Sequence, residues 1–216
     1  TLWHTLSLHD ALPISLVGNI MIDSLEMARP RIESQAVYQD YGCQKKQYGL
    51  VTLHRPSNVD HPETLKLLCT ELARISERLP LIFPIHPRTR ANLEKFGLNH
   101  MLADNDHIRL IDPLGYIHFM NLVFNARLLV TDSGGVQEET TYLGIPCLTL
   151  RPNTERPVTV TLGTNRLCTP ADIFDMVTAT LDGKFPEGKI PDLWDGRTAA
   201  RVTDLIEKTV LWRTKV

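Results

Sequence analysis

The sequence predicts an α/β protein with one Rossmann-like, doubly wound parallel sheet that is covered by helices on both faces. Two observations lead to this prediction. Short apolar runs alternate with longer amphipathic runs along most of the chain, which is the pattern of βαβ units. Hydrophobic residues make up 43% of the 216 residues and charged residues 22%, a balance that allows a sizeable buried core.

The first 47 residues contain three stretches with different sequence patterns. Residues 1–15 show no helical or strand period and lack the cationic start of a signal peptide, so we expect a non-native or disordered segment there. A native loop that leads into the first helix is the alternative. Regular patterning starts at Gly18, where apolar residues at helical spacing predict a helix that Pro30 ends. Residues 39–47 are polar and typical of a linker.

Strands and helices then alternate in a fixed order. Each predicted strand is a short apolar run, and the predicted helices carry apolar stripes such as the one from Leu65 to Ile75. Gly97 and Gly144 predict the carboxyl ends of two helices. The predicted strands are residues 48–53, 81–85, 107–111, 127–131, 146–150 and 165–168. The predicted helices after the linker are residues 62–78, 89–96, 115–124, 135–143, 171–181 and 199–211.

Charge and cysteine content disfavour several classes of protein. The formal net charge is −2, so no basic field favours nucleic acid or an anionic membrane surface. No apolar run is long enough to span a bilayer. The four cysteines lie far apart and the eight histidines lack zinc-site spacing, so we expect reduced thiols, a cytoplasmic location and no bound metal.

Polar, ionisable or glycine-rich residues follow the first five predicted strands, where ligands bind in doubly wound sheets. After the fourth strand, Ser133, Gly134 and Gly135 open a helix; we call these residues the Ser133 turn. Backbone N–H groups at the helix start and the Ser133 hydroxyl could hold a phosphate there. An N-cap serine with turn glycines is the alternative. The turn matches neither the dinucleotide-binding G-x-G-x-x-G motif nor a P-loop.

Charged residues near the Ser133 turn extend the predicted site. Of Glu138 and Glu139, we expect one carboxylate to face the cleft and to accept hydrogen bonds from hydroxyls such as those of ribose. The other is expected to be a solvated acid of the first helical turn. Arg156 lies in an irregular loop and is expected to hold phosphate oxygens. Arg151 is the competing candidate, and a plain surface role for Arg156 is the alternative.

Two histidines and one aromatic residue complete the candidate set. His54 ends the first strand beside Arg55, where an imidazole could act as acid or base or donate to a phosphate. His86 follows the second strand and is the weaker candidate. Phe119 lies in the helix after the third strand, where its ring either packs against a base or belongs to the core.

From about Val17 onwards, the chain resembles the non-hydrolysing UDP-N-acetylglucosamine 2-epimerase family. The segments that carry the resemblance are VTLHRPSNVD (51–60), PIHPRTR (84–90), LIDPLGYIHFMNLV (110–123), TDSGGVQEETTYLGIPCLTLRPNTERPVTVTLGTNRL (131–167) and LWDGRTAARV (193–202). The long block from DSGG to TERP is the most specific. The resemblance implies the carboxyl-terminal half of a glycosyltransferase-B fold. Residues 16–47 would end the amino-terminal domain and form the interdomain linker, and residues 48–216 would form the nucleotide-binding domain with its closing helices.

The resemblance also implies roles for the candidate residues. His54 corresponds to the family's catalytic histidine near the diphosphate, and Glu139 to the acid that binds the ribose hydroxyls. Arg156 matches the arginine that closes over the nucleotide, and Phe119 matches a residue that lines the uracil pocket. The UDP-binding set that follows is His54, Phe119, Ser133, Gly134, Gly135, Glu139 and Arg156.

A second, regulatory UDP-N-acetylglucosamine binds in some bacterial members where this chain has Arg55 and His86. Two motifs depart from the family here, since many members read HRREN at residues 54–58 and P-V-H-x-N-P where this chain has PIHPRTR. These departures affect the regulatory site more than the UDP site. Leu114 stands where some members have a glutamine that contacts uracil.

The resemblance implies that the full-length protein interconverts UDP-N-acetylglucosamine and UDP-N-acetylmannosamine by eliminating UDP and adding it back, with no redox cofactor. In the family, the acids that handle the proton on C2 lie in the amino-terminal domain. We therefore expect this chain to bind UDP weakly and not to epimerise by itself. A full-length homodimer in bacterial polysaccharide biosynthesis is also implied. The alternatives are a non-catalytic UDP-sugar-binding module, or a hydrolysing epimerase or glycosyltransferase of the same fold.

Overall fold

The computed structural model describes residues 14–213, which form a six-stranded sheet in which neighbouring strands all pair in parallel. The predicted Rossmann-like, doubly wound α/β fold is confirmed. The predicted non-native segment lies outside the described residues, apart from its last two. The strands are β1 (Gly49–Thr52), β2 (Leu81–Pro84), β3 (Ile108–Ile111), β4 (Leu128–Thr131), β5 (Cys147–Leu150) and β6 (Asn165–Cys168).

Every predicted strand is present, and every helix predicted after residue 47 is present within two residues of its predicted start. Four helices of four or five residues were not predicted, because so short a run cannot show a helical period. No helix of residues 14–213 is long and apolar enough to cross a membrane. The helices are α1 (Ile20–Glu33), α2 (Val37–Asp40), α3 (Pro56–Val59), α4 (Pro62–Ser76), α5 (Pro87–Lys95), α6 (His100–Ala103), α7 (Tyr116–Asn125), α8 (Val136–Leu143), α9 (Pro157–Thr161), α10 (Ile173–Leu181) and α11 (Thr198–Arg213).

Two apolar layers hold the helices on the sheet, because successive residues of a strand point to opposite faces. On one face, buried strand residues such as Val51 and Leu148 pack with residues of α4 and α10. On the other face, Leu50 and Leu129 pack with residues of α1 and α7. The four inner strands are therefore largely buried on both sides, as parallel sheets require, whereas the edge strands β3 and β6 are partly exposed.

The predicted end of α1 at Pro30 is wrong, because the helix continues through this proline to Glu33. An interior proline costs a helix about 3 kcal/mol. Tertiary contacts hold the extra turn in place. Ile32 is fully buried in the core, and the Asn121 side-chain amide donates to the Ile32 carbonyl at 2.8 Å.

Residues predicted as a polar linker contact the helix layer at two places. Helix α2 packs against α7, and Lys46 Nζ donates to the carbonyl oxygens of Phe124 and Ala126, each at 3.0 Å. These bonds join the linker stretch to the carboxyl end of α7, where a cation is favourable. The division into a linker, residues 16–47, and a nucleotide-binding domain, residues 48–216, stays a prediction.

The strand order β3-β2-β1-β4-β5-β6 positions the candidate site. The chain builds outward from β1 to β3 and then returns to the free side of β1 with β4. The two central strands end in register, with Thr52 opposite Thr131 and their hydroxyl oxygens 2.6 Å apart. Such a reversal is a topological switch point, where ligands bind beyond the carboxyl ends of the strands.

Asp23 of α1 holds the start of α11 across the fold. Its buried carboxylate accepts the backbone N–H groups of Thr198 at 3.1 Å and Ala199 at 2.7 Å. Burial raises the pKa of Asp23, but these backbone hydrogen bonds more than offset that effect, so its pKa lies below the usual value. The ionised carboxylate therefore serves as the cap of α11.

We predict that Asp23→Ala lowers the free energy of unfolding by about 2 kcal/mol near neutral pH, because two N–H groups at a helix start lose their acceptor. Since the folded-state pKa is lowered, this contribution is complete above the unfolded pKa of about 4 and is lost as the pH falls through the folded pKa. Urea unfolding at a series of pH values measures both effects. The control Glu33→Ala removes an exposed ion pair with Arg29 and should change stability by less than about 0.5 kcal/mol. Equal stability of Asp23→Ala and the parent chain would contradict the capping role.

Candidate functional site

The segments that follow β1 and β4 meet through one buried carboxylate, that of Asp132. Its side chain has no solvent exposure. Asp132 accepts the backbone N–H groups of His54 at 3.0 Å and Arg55 at 2.8 Å, and the Asn58 side-chain amide at 3.1 Å. His54 Nδ1 lies 2.9 Å from the other carboxylate oxygen. Burial raises the pKa of Asp132, but the bonds from His54, Arg55 and Asn58 lower it below its usual value, so the carboxylate is ionised.

His54 is oriented by this carboxylate. An ionised Asp132 accepts a hydrogen bond from Nδ1–H, which leaves Nε2 as the free nitrogen of the ring. The His54 side chain is 39% exposed. The candidate histidine is thus a half-exposed imidazole in a fixed tautomer at the switch point.

His86 and Arg55 lie next to His54. The two imidazole rings are 5.5 Å apart between centroids. His86 also caps α5, since its Nδ1 accepts the backbone N–H of Arg88 at 3.1 Å. The Arg55 side chain donates to the Asp132 carbonyl oxygen at 3.2 Å. Both predicted regulatory residues therefore border the catalytic candidate, and both have a structural partner.

The Ser133 turn leads directly into α8, as predicted. Gly135 is the N-cap residue of α8, and no side chain makes a capping hydrogen bond there. The alternative of an N-cap serine is therefore wrong. The backbone N–H of Ser133 donates to Thr131 Oγ1 at 3.0 Å, which ties the turn to the end of β4. In the first turn of α8 the Glu138 N–H donates to the Gly135 carbonyl oxygen at 3.0 Å, and the N–H groups that precede it come before the regular hydrogen bonds of the helix.

The acids of α8 are both buried, so the expectation that one of them is a solvated surface acid is wrong. Glu139 Oε1 accepts the Tyr116 hydroxyl at 3.0 Å. Burial raises the pKa of Glu139 and Glu138 adds to this effect, whereas the bond from Tyr116 opposes it. Glu138 Oε1 accepts the Asn19 amide at 3.0 Å and lies 3.1 Å from Arg156 Nε.

Two arginines lie near the turn, and their environments differ. The Arg151 side chain is 8% exposed, and both oxygens of Glu155 bind its guanidinium at 2.6 and 2.7 Å. Arg156, at the N-cap of α9, is 44% exposed and shares its charge with Glu138. Arg156 is therefore the arginine that an anion can reach, although Arg151 also lies beside Gly134.

Phe119 is half-buried and packs against the core layer that includes residues of α1 and α7. This contact agrees with the interpretation of Phe119 as a core residue and leaves a contact with a base as a prediction. The residues described contain no group of three or more histidine, cysteine, aspartate or glutamate side chains that could hold a metal ion.

Asp132 and Tyr116 were missed as site residues. Asp132 directly follows β4, and its position at the end of a buried strand is the signal that could have identified it. Tyr116 begins α7 in the segment that follows β3, and only the fold brings its hydroxyl to Glu139 of α8.

Two relatives of similar sequence are both UDP-N-acetylglucosamine 2-epimerases. A UDP-N-acetylglucosamine 2-epimerase of Methanococcus maripaludis is 41% identical over 176 residues, which are 78% of this chain and 48% of that protein. A UDP-N-acetylglucosamine 2-epimerase of Methanocaldococcus jannaschii is 43% identical over 160 residues, which are 71% of this chain and 43% of that protein. The chain thus spans about half the length of these relatives.

A solved structure and a family model extend the comparison. The crystal structure of the M. jannaschii UDP-GlcNAc 2-epimerase in complex with UDP-GlcNAc and UDP matches 88% of this chain and 54% of its own, with a TM-score of 0.75 and 36% identity. The model of the UDP-N-acetylglucosamine 2-epimerase family matches residues 9–207. That match covers most of the chain, and the chain therefore belongs to the UDP-N-acetylglucosamine 2-epimerase family.

Proposed function

We propose that this chain is the UDP-binding half of a UDP-N-acetylglucosamine 2-epimerase and that the Ser133 turn holds the diphosphate. The observation that supports the proposal is that three candidate anion-binding groups follow three neighbouring strands, β1, β4 and β5, at the switch point. His54 reaches it after β1, the uncapped start of α8 follows β4, and the exposed Arg156 comes from the loop after β5. Backbone N–H groups at a helix start and a guanidinium favour phosphate oxygens directly, and the His54 imidazole does so when Nε2 also carries a proton, since Nδ1–H is already used by Asp132.

The glycines of the Ser133 turn support this proposal. Neither Gly134 nor Gly135 has a backbone φ in the left-handed region, so the backbone does not require glycine at either position. A Cβ at Gly135 would meet nothing within 4 Å, and one at Gly134 would make only ordinary contacts. The open space beside both glycines suits close approach of a ligand to the backbone, and Gly135 is in addition a favoured residue for the N-cap position of α8.

The environment of Glu139 suits the ribose. A buried carboxyl that already accepts the Tyr116 hydroxyl has further lone pairs for the hydroxyls of a sugar. Tyr116 fixes the orientation of the carboxyl. We place the uracil toward Phe119 and Leu114, by the resemblance to the family, where backbone groups would replace the glutamine of other members.

In the proposed reaction, a base removes the proton from C2 of the sugar while the bond from C1 to the diphosphate oxygen breaks. The products of this step are a glycal and UDP. UDP then adds back to C1 as C2 takes a proton on the opposite face. The groups of this chain stabilise the negative charge that develops on the departing diphosphate, which lowers the barrier for both steps. We place the acid–base groups for C2 in the part of the relatives that this chain does not span.

The location, assembly and regulation of the full-length protein are also proposals. We infer a cytoplasmic homodimer for the full-length protein that acts without cofactor, metal or nucleic acid, and a regulatory nucleotide-sugar site at Arg55 and His86. The position of both residues beside His54 supports a link between such a site and catalysis.

Arg156 provides a test of UDP binding. We predict that Arg156→Ala raises the dissociation constant for UDP about tenfold or more, because a charged hydrogen bond contributes about 1.5–3 kcal/mol. Titration calorimetry of the 216-residue chain measures this constant. The matched control is Arg78→Ala, since Arg78 is 40% exposed and also pairs with a carboxylate, that of Asp182. Equal losses in the two variants, or no heat from the unaltered chain, would refute the proposed site.

Turnover separates this proposal from its alternatives. We predict that the 216-residue chain incubated with UDP-N-acetylglucosamine yields neither UDP-N-acetylmannosamine nor free UDP, because the groups proposed for C2 are absent. Chromatography of the reaction mixture measures both products. Formation of UDP-N-acetylmannosamine would contradict the assignment of the C2 groups to the other half, and release of UDP would favour a hydrolysing enzyme or a transferase.

A further inference from the structure

Behind the Ser133 turn lie two fully buried amide side chains, Gln137 of α8 and Asn165 of β6. Asn165 Nδ2 donates to Gln137 Oε1 at 2.9 Å, and Asn165 Oδ1 accepts the Thr149 hydroxyl at 2.6 Å. The pair is thus anchored to the adjacent strands β5 and β6. Buried amides are costly unless their polar atoms are paired, so the identity of their remaining partners matters.

One remaining bond reaches the Ser133 turn. Gln137 Nε2 donates to the Ser133 carbonyl oxygen at 2.9 Å. This bond fixes the peptide plane between Ser133 and Gly134. It therefore sets the direction of the Gly134 N–H, which we propose donates to the diphosphate.

The other bonds reach Arg156, whose two backbone polar groups are both held. Its N–H donates to Thr154 Oγ1 at 3.0 Å, and the Thr154 hydroxyl donates to Gln137 Oε1 at 2.7 Å. Its carbonyl oxygen accepts the Thr159 hydroxyl at 2.7 Å, and Thr159 Oγ1 accepts from Asn165 Nδ2 at 3.1 Å. Each amide is thus one hydroxyl away from the backbone of Arg156.

We propose that Gln137 and Asn165 are positioning residues that hold the Ser133 turn and Arg156 in one fixed arrangement for the diphosphate. This inference rests on the proposed function. Neither amide lies at the surface of the cleft, so both act through the backbone they hold. An apolar pair could fill the same space, but it could not fix the backbone of two irregular segments at once.

The first test compares two buried threonines. Thr159→Val keeps the shape of the side chain and removes the hydroxyl that links Asn165 to Arg156. Thr180→Val is the matched control, because Thr180 is also buried and donates only to a carbonyl of its own helix, that of Met176. We expect Thr159→Val to weaken UDP binding about fivefold and Thr180→Val to leave it within about twofold, while thermal unfolding reports the loss of stability in each.

The second test uses Arg156→Ala as a background. If Thr159 acts through Arg156, Thr159→Val should weaken UDP binding by less than about twofold once the guanidinium is gone. Gln137→Met should weaken UDP binding about tenfold in the parent chain. It should retain part of that loss in the Arg156→Ala background, because Gln137 also holds the Ser133 turn.

The outcomes separate the two proposals. No heat of UDP binding from the unaltered chain would overturn the proposed function and this inference with it. Two results would overturn this inference alone, provided that the unaltered chain binds UDP. One is that Thr159→Val binds UDP as tightly as the parent chain. The other is that Thr159→Val weakens binding equally in the parent chain and in the Arg156→Ala background. Should Gln137→Met fail to fold, the threonine pair decides the question.

Discussion

A carboxylate without solvent contact must find its hydrogen-bond donors inside the protein, and Asp132 finds them on the segment after β1. The bonds from His54, Arg55 and Asn58 join the ends of two strands, β1 and β4, that are adjacent in the sheet but have two other strands between them in the sequence. Removing Asp132 would leave several buried donors unpaired. The same carboxylate therefore closes the end of the sheet and sets the tautomer of the half-exposed imidazole beside the Ser133 turn.

Helix α8 organises the rest of the site through successive residues. Gln137 faces the buried amide network, Glu138 holds Arg156, and Glu139 accepts the Tyr116 hydroxyl. Successive positions on a helix point about 100° apart, so three adjacent polar residues reach three different neighbours. A short, polar and largely buried helix can thus connect loops from several strands without contributing much to the apolar core.

Much of the fold followed from the sequence, because apolar runs and turn glycines are local signals. All six strands, the fold class and the end of α8 at Gly144, with its φ of +68°, were predicted correctly. The end of α1 was not, since the burial of Ile32 and a bond from Asn121 override the local effect of Pro30. At the site, the sequence located the strand-end residues. The partners of these residues depend on how α7, α8 and the loop before α9 pack together, which no local pattern encodes.

The ion pair between Arg156 and Glu138 has a consequence for the lifetime of the bound nucleotide. Asn19 also donates a hydrogen bond to Glu138, which holds the carboxylate in place. The negative charge of this carboxylate partly offsets the positive charge of Arg156. An arginine whose charge is already divided attracts a phosphate less strongly than a free one would. In the proposed reaction the same UDP must leave the sugar and then attack it again. Moderate affinity for UDP suits this reaction better than high affinity, because a very stable complex of UDP and the glycal would raise the barrier for the second step.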